Sequence, residues 1–265
     1  MTLIENKHIA ESHSPSNGYA ISLQSVTRTF SSGEETIKAV NNVSLNINKG
    51  DFIIIMGPSG SGKSTLLNLI SGLTNSSSGK IFINNKELHS LSENQKAKLR
   101  RSELGIIFQF YNLHDGLTAI ENIELPMLIA GVPLKERRKK SKKLLELVEM
   151  DKRAYHRPHE LSGGEKQRIG IARSLANNAN ILLADEPTGD LDFENGRKIL
   201  NLMVKLNKEN KITIVMVTHD STLIQKGFRL VKLRDGQIYF DDVITNPEEV
   251  IDDFSPVVKN RNLPK

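Results

Sequence analysis

The chain alternates between short apolar runs and segments with helical spacing. Segments 21–26 and 43–47 place apolar and polar residues at alternate positions, which is typical of half-buried strands. Segments 52–56, 181–184 and 212–217 are almost continuously apolar, which favours strands buried on both faces of a parallel sheet. Because helical sequence adjoins these runs, we predict an α/β fold around a mostly parallel sheet.

The middle of the chain, roughly 113–160, has helical and basic character. We expect Pro126, Pro133 and Pro158 to interrupt helices there, because proline lacks a backbone N–H. Lys and Arg are concentrated in 135–143, which we interpret as the solvated face of an amphipathic helix. Contact with lipid head groups is the alternative for this segment. The buried face of the helix is expected to hold Leu144, Leu145 and Val148.

Length and composition favour one domain of 265 residues with a subdomain. We expect a flexible N-terminal tail at 1–19, the domain at 20–240 and a C-terminal tail at 241–265. The absence of cysteine excludes disulfides and thiolate metal sites. No stretch approaches the ~20 apolar residues of a membrane helix, and the N-terminus lacks the apolar core of a signal peptide. We therefore expect a cytoplasmic chain, with any membrane role arising through a partner.

Residues 57–64 read Gly-Pro-Ser-Gly-Ser-Gly-Lys-Ser and match the phosphate-binding pattern G-x-x-x-x-G-K-[ST]. Glycines let successive N–H groups point inward at an anion, and the following helix presents its positive end. Lys63 is expected to reach the β- and γ-phosphates, and the Ser64 hydroxyl to bind Mg²⁺. The predicted nucleotide contacts here are Gly57, Pro58, Ser59, Gly60, Ser61, Gly62, Lys63, Ser64 and Thr65. By itself this loop leaves kinase, GTPase, helicase and transporter ATPase open.

Two acids, Asp185 and Glu186, follow the apolar run 181–184. Neighbouring strand residues point to opposite faces, so the two carboxylates can take different roles. Asp185 suits the acid that holds Mg²⁺ in P-loop ATPases, and Glu186 would then polarise the attacking water. The alternative is an Asp-Glu-Pro turn at the surface.

A glycine pair opens a predicted helix near residue 163. Ser162 and Glu165 fit a capping box, which explains those two residues structurally. Gly163 and Gly164 are not explained by capping, since glycine in a helix costs roughly 1 kcal/mol relative to alanine. Bare N–H groups at a helix start form an anion site, so this is a second phosphate-seeking surface. Each chain thus has one nucleotide but two phosphate-seeking surfaces, at 57–64 and at 162–165. This indicates that the second surface closes on the nucleotide across a dimer.

Segment 161–168 resembles the signature of ATP-binding-cassette (ABC) proteins, and the other motifs of that family occur in its order over about 20–240. They are Phe30, the loop 57–64, Gln109, the signature, the pair Asp185 and Glu186, the D-loop at 189–192 and His219. Four segments resemble the branch that contains LolD, MacB and FtsE: 58–68, 117–126, 183–189 and 216–220. The resemblance implies a RecA-like P-loop core, an N-terminal antiparallel β subdomain and a helical subdomain at about 113–165.

The same resemblance implies roles for residues that spacing alone does not assign. Phe30 would stack on adenine, although the family more often has Tyr there; the alternative is a core Phe at a strand end. Gln109 would touch Mg²⁺ or the attacking water, and His219 would contact the γ-phosphate. Asp190 and Asp192 would lie at the dimer seam, where a helix N-cap is the alternative. The predicted second half of the nucleotide site is Ser162, Gly163, Gly164, Glu165 and Asp190.

The function implied is Mg²⁺-dependent ATP hydrolysis between two copies of the chain. It would drive a separate integral membrane permease from the cytoplasmic face, with contacts expected around 110–130. An FtsE-like ATPase that gates a membrane partner without transport is the alternative. A cassette acting on DNA or ribosomes is disfavoured, because neither a coiled-coil insertion nor a second cassette is present, so no nucleic-acid partner is expected.

Overall fold

A computed structural model of the chain describes residues 18–32 and 35–247. The predicted tails fall largely on 1–17 and 248–265, which lie outside the described residues. The strands are β1 Tyr19–Ser32, β2 Glu35–Asn48, β3 Phe52–Met56, β4 Ser78–Ile83, β5 Lys86–Glu87, β6 Leu104–Ile107, β7 Ile181–Asp185, β8 Thr213–Val217, β9 Arg229–Arg234 and β10 Gln237–Val243. The helices are α1 Lys63–Ile70, α2 Glu93–Ser102, α3 Ala119–Ile129, α4 Leu134–Leu147, α5 Gly163–Ser174 and α6 Phe193–Asn210.

The strands form two sheets. The smaller one is antiparallel, with the order β2-β1-β4-β5. The larger one has the order β10-β9-β3-β8-β7-β6, and all of its pairs are parallel except β9 with β10. The predicted α/β fold, with a mostly parallel sheet and an N-terminal antiparallel β subdomain, is confirmed.

Strand β3 is apolar throughout because both of its faces are buried. Ile53 and Ile55 pack into a core formed by the two sheets and α1. Ile54 and Met56 pack into the other core, on the side of the larger sheet that carries α3 to α6. Alternate residues of a strand point to opposite faces, so a strand between two cores needs apolar residues at every position.

The helices α3, α4 and α5 pack together beside the larger sheet. The residues predicted to be buried, Leu144 and Leu145 on α4 and Val148 directly after it, are buried. The Nε of Arg138 lies 2.8 Å from Oε1 of the buried Glu124, which joins α4 to α3. The lysines at 135, 139, 142 and 143 are exposed, as expected for the solvated face of this helix.

Pro126 does not interrupt a helix, and the prediction that it does is wrong. It lies inside α3, whereas Pro133 precedes α4 and Pro158 starts a short 3-10 turn. Proline removes one helical hydrogen bond, but Ile123 and Met127 on either side are fully buried. Packing of α3 against its neighbours outweighs the lost bond.

Within the described ranges, no helix is both long and apolar enough to span a bilayer. Strand β10 extends to Val243, three residues past the predicted end of the domain at 240.

Candidate active site

The loop 57–64 connects β3 to α1, includes the first two residues of α1, and lies against β2 of the smaller sheet. Gly62 has φ 100°, and a Cβ placed on it would lie 2.0 Å from the carbonyl oxygen of Ala39 on β2. Only glycine fits there, because the left-handed backbone and the close approach both exclude a side chain. Ala39 thus lies against the phosphate loop, a contact that sequence reasoning missed.

Lys63 turns back into its own loop. Its Nζ donates to the carbonyls of Gly57 and Pro58, both at 2.9 Å. Burial lowers the pKa of Lys63, while the charges of Glu186 and Asp185 act to raise it. An ammonium has three donors, so one donor is left for a ligand oxygen once the two carbonyls are served.

A cavity of about 540 Å³ opens over this loop. The hydroxyl of Ser61, 3% exposed, has no hydrogen-bond partner, and a Cβ on Gly57 would meet it at 2.7 Å. A side chain at position 57 would displace this hydroxyl, which packs against Gly57 and does not belong to a residue that lines the cavity. The cavity is lined by Ala39, Ser59, Gly60, Gly62, Lys63, Ser64, Thr65, Glu186 and His219.

Asp185 ends β7 beside the start of α1. The Ser64 hydroxyl donates to its Oδ1 at 3.2 Å. Burial raises the pKa of Asp185, and the hydrogen bond from Ser64 opposes that shift. In the part of the chain that the structure describes, no three His, Cys, Asp or Glu side chains form a metal cluster. One hydroxyl with one carboxylate fits Mg²⁺, which takes most of its remaining ligands from water and phosphate.

Glu186 follows β7 with φ 48°, in the left-handed region that residues with side chains rarely adopt. Its Oε1 lies 2.9 Å from Nδ1 of His219, and its Oε2 accepts from the backbone N–H of His219 at 3.4 Å. The Glu186 side chain is 15% exposed and that of His219 69%. Glu186, predicted to polarise the attacking water, and His219, predicted to contact the γ-phosphate, therefore meet at the cavity wall.

Gln109 follows β6 at the carboxyl edge of the same sheet. Its Nε2 donates to Oδ1 of Asp190 at 3.3 Å. A Cβ on Gly189 would lie 3.1 Å from that Nε2, so the glycine admits the amide. Gln109 does not line the 540 Å³ cavity. In this structure it contacts the D-loop rather than the Ser64 and Asp185 pair.

The start of α5 is capped by its own residues. The Ser162 hydroxyl accepts from the Glu165 N–H at 3.3 Å, and Glu165 accepts from the Ser162 N–H at 2.8 Å. The Nε of Arg153 donates to Glu165 at 3.1 Å. The pKa of Glu165 is lowered, chiefly by the backbone N–H of Ser162. The predicted capping box at 162–165 is confirmed, and none of its residues lines the 540 Å³ cavity.

The two D-loop acids differ in their contacts. Asp192 caps α6, accepting from the Asn195 N–H at 2.9 Å, so the N-cap alternative describes it. Asp190 accepts from Gln109, as described above.

Phe30 lies on β1 with 42% of its surface exposed, so it is not a core residue. The guanidinium of Arg28 lies 4.6 Å from its ring centroid. Its cross-strand neighbour on β2 is Ile37, which is 56% exposed. This exposed apolar pair lies outside the residues that line the cavity.

Gln167 links the backbone at Phe108 to the backbone at Pro187, a role that the sequence analysis did not assign to it. It is fully buried in α5, and its Nε2 donates to the carbonyl of Pro187 at 2.8 Å and towards that of Phe108 at 3.4 Å. It lies four residues before Ile171 and three after Gly164, both buried. That spacing is a signal that a polar residue sits on the buried face of the helix.

The arrangement of a phosphate loop, a carboxylate beside its serine and a second carboxylate paired with a histidine defines a P-loop ATPase. A sequence profile described as ABC transporter matches residues 40–189. The chain therefore belongs to the ABC transporter ATP-binding family, and it is an ATP-binding subunit that hydrolyses ATP.

Relatives extend the similarity over most of the chain. The ABC transporter ATP-binding protein MJ0796 of Methanocaldococcus jannaschii is 47% identical over 222 residues, covering 82% of this chain and 94% of that protein. The macrolide export ATP-binding/permease protein MacB of Mannheimia succiniciproducens is 43% identical over 227 residues. That match covers 86% of this chain and 35% of MacB. The predicted likeness to the branch of LolD, MacB and FtsE is confirmed at this level.

A solved structure of MJ0796 matches with a TM-score of 0.77 and 43% identity, covering 85% of this chain and 99% of that one. It is a dimer in a post-hydrolysis state, bound to ADP and Pi.

Proposed function

We propose that this chain drives a separate integral membrane permease by closing on ATP as a homodimer. The observation that carries the proposal is that the chain's two phosphate-directed elements do not share a cavity. Segment 57–64 lines the 540 Å³ cavity, whereas 162–165 does not. A second copy would bring its own 162–165 to the open side of that cavity, as the dimeric state of MJ0796 supports.

In the proposed site, Lys63 and the N–H groups of 57–64 hold the phosphates, and Phe30 stacks on adenine. Ser64, Asp185 and Gln109 would hold Mg²⁺, which neutralises charge on the β- and γ-phosphates when bound. Gln109 would offer its Oε1 to the metal, since its Nε2 donates to Asp190 at 3.3 Å.

Glu186 is proposed to accept the proton of the attacking water. His219 lies 2.9 Å from its carboxylate, so it fixes the direction of that carboxylate. The 162–165 segment of the second copy would place its helix N-terminus at the γ-phosphate.

A groove of about 520 Å³ between α2, β6, α3 and α5 is the proposed docking site for the permease. Leu104, Leu125 and Ile129 supply its apolar surface, and Arg100 and Arg101 are basic groups at its wall. An amphipathic helix with acidic residues fits this lining. Part of the wall lies within 110–130, where permease contacts were expected. With this docking the chain would lie on the cytoplasmic face of the membrane.

We further propose that 113–165 acts as the helical subdomain, within a domain whose limits are near 20 and 240. The groove lies between this subdomain and the sheet. A movement of the subdomain would therefore shift a partner helix docked in the groove.

The test uses Glu186→Gln in the full chain. We expect turnover to fall about 10²- to 10⁴-fold, the usual contribution of a general base, while ATP affinity is kept. Gel filtration with Mg-ATP should then give a stable dimer, and affinity capture from detergent-solubilised membranes should retain an integral membrane protein.

Asp220→Asn, next to His219, serves as a charge control, because its carboxylate is already bound to Thr222. Normal turnover in Glu186→Gln would show that Glu186 is not the base. An ATP-bound monomer would contradict closure across two copies.

A further inference from the structure

The backbone after Gln109 has an unusual conformation that needs support. Tyr111 and Asn112 have φ of 59° and 49°, in the left-handed region that residues with side chains rarely adopt. The N–H of Asn112 donates to the carbonyl of Phe110, which tightens the turn. Such backbone persists only when its surroundings hold it in place.

Arg173, the next-to-last residue of α5, supplies that support. Its Nη2 donates to the carbonyl of Tyr111 at 2.8 Å, and its Nη1 donates to the carbonyl of Asn112. The planar guanidinium can serve two adjacent acceptors at once, and the charge strengthens both bonds. Burial lowers the pKa of Arg173. A Cβ on Gly170 would lie 3.7 Å from the Tyr111 carbonyl, so the helix backbone also passes close by.

Tyr111 also reaches the opposite end of the same helix. A Cβ on Gly163 would lie 2.8 Å from the phenol oxygen of Tyr111. Burial raises the pKa of Tyr111, and the charge of Asp190 adds to that shift, so the phenol stays neutral. Tyr111 and Asn112 therefore contact α5 near both of its ends, at Gly163 and at Arg173.

We propose that Arg173 is a positioning residue that joins 109–112 to α5, so that Gln109 moves together with the glycine-rich start of that helix. The kinetic part of this inference rests on the role proposed for Gln109. When the start of α5 engages a nucleotide held by the other copy, the contact would be transmitted to Gln109 of the same chain. The two nucleotide sites of a dimer would thus be coupled through a single helix.

The first test measures hydrogen exchange of backbone amides in 108–114 of the full chain. Arg173→Lys keeps the charge and loses the two-point contact, so we expect exchange there to speed up about tenfold. Arg137→Lys is the matched control, because Arg137 is part-buried and donates to the carbonyl of Val132 at 2.8 Å, far along the chain from this turn. Unchanged exchange in Arg173→Lys would overturn the proposal, even if Arg173→Ala fails to fold.

The second test is a double-mutant cycle with Gln109→Ala. We expect Arg173→Lys to lower kcat about tenfold with little change in KM for ATP, since misplacing a catalytic group affects the reacting state most. If Arg173 acts through Gln109, the double variant is no slower than Gln109→Ala alone.

Fully additive losses would contradict that route. If Gln109→Ala leaves kcat unchanged, Gln109 does not have the role proposed for it. The exchange measurement would still decide whether Arg173 holds the turn.

Discussion

The loop at 57–64 and the helix start at 162–165 are both directed at phosphate, but they satisfy their polar groups differently. In the loop, the buried Ser61 hydroxyl has no partner and Lys63 bonds only to loop carbonyls. At the helix start, Ser162 and Glu165 satisfy each other. Lys63 thus keeps one N–H donor for a ligand in the cavity, whereas the side chains of Ser162 and Glu165 are already paired with backbone N–H groups. In the proposed mechanism, the loop would bind the nucleotide first and the helix start would engage it on dimer closure.

Of the changes considered, removing the Lys63 ammonium from the loop should have the largest effect on ATP turnover. In Lys63→Ala we expect ATP turnover to fall at least about 100-fold, because charge stabilisation of the transferring phosphate is lost. Isothermal titration should also show weaker ATP binding by the single chain. Lys139→Ala, on the solvated face of α4, should leave both quantities unchanged. Unaltered ATP affinity in Lys63→Ala would show that the loop does not hold the phosphates.

A charge at the helix start should leave binding intact and block closure. Aspartate caps helices as well as serine does, so Ser162→Asp should keep the thermal stability of the chain. Its carboxylate would repel the γ-phosphate of the other copy, and we expect turnover to fall about tenfold or more. Ser92→Asp is the matched control, because Ser92 heads the capping box of α2 with Gln95, away from the nucleotide site. If Ser162→Asp and Ser92→Asp have equal turnover, segment 162–165 does not take part in catalysis.

The dependence of turnover on protein concentration follows from the same comparison. If both elements are needed and lie on different copies, turnover per chain should rise with concentration until the dimer is saturated. Initial rates measured over a thousandfold dilution series would show this, with Ser162→Asp flat across the same range. A rate per chain that stays constant on dilution would argue for hydrolysis by a single copy.

The smallest expected effect concerns Glu165, whose charge is bound by Ser162 and Arg153. Its pKa is lowered in the folded chain, so its charge stabilises the fold above the unfolded pKa of about 4.3. That contribution is lost as the pH falls through the lower folded value.

Glu165→Gln keeps the capping acceptor, as Gln95 does in α2. We expect a loss of about 0.5 kcal/mol at pH 7, given solvent screening. The loss should shrink as the pH falls through the lowered folded pKa of Glu165. Urea unfolding over a series of pH values from 7 downwards would measure it, and a loss independent of pH would exclude the charge as its cause.

Local signals in the sequence were strong where a residue's role depends on its immediate neighbours. The glycine pattern at 57–64, the apolar run before Asp185 and the capping box at 162–165 each contain their own physical explanation, and the structure has the loop, strand end and cap that these patterns predict. Pro126 misled the prediction, because the packing that keeps α3 continuous involves residues of other helices.

Sequence by itself determined the fold class, the phosphate loop and the acid pair at the end of an apolar strand, because short-range patterns specify them. Tertiary structure alone decided that Ala39 covers the loop, that Gln109 bonds to Asp190, and that Arg173 grips the turn after Gln109. Arg173 and Tyr111 are 62 positions apart along the chain. Contacts at such separation depend on how elements pack, and no local pattern encodes that packing.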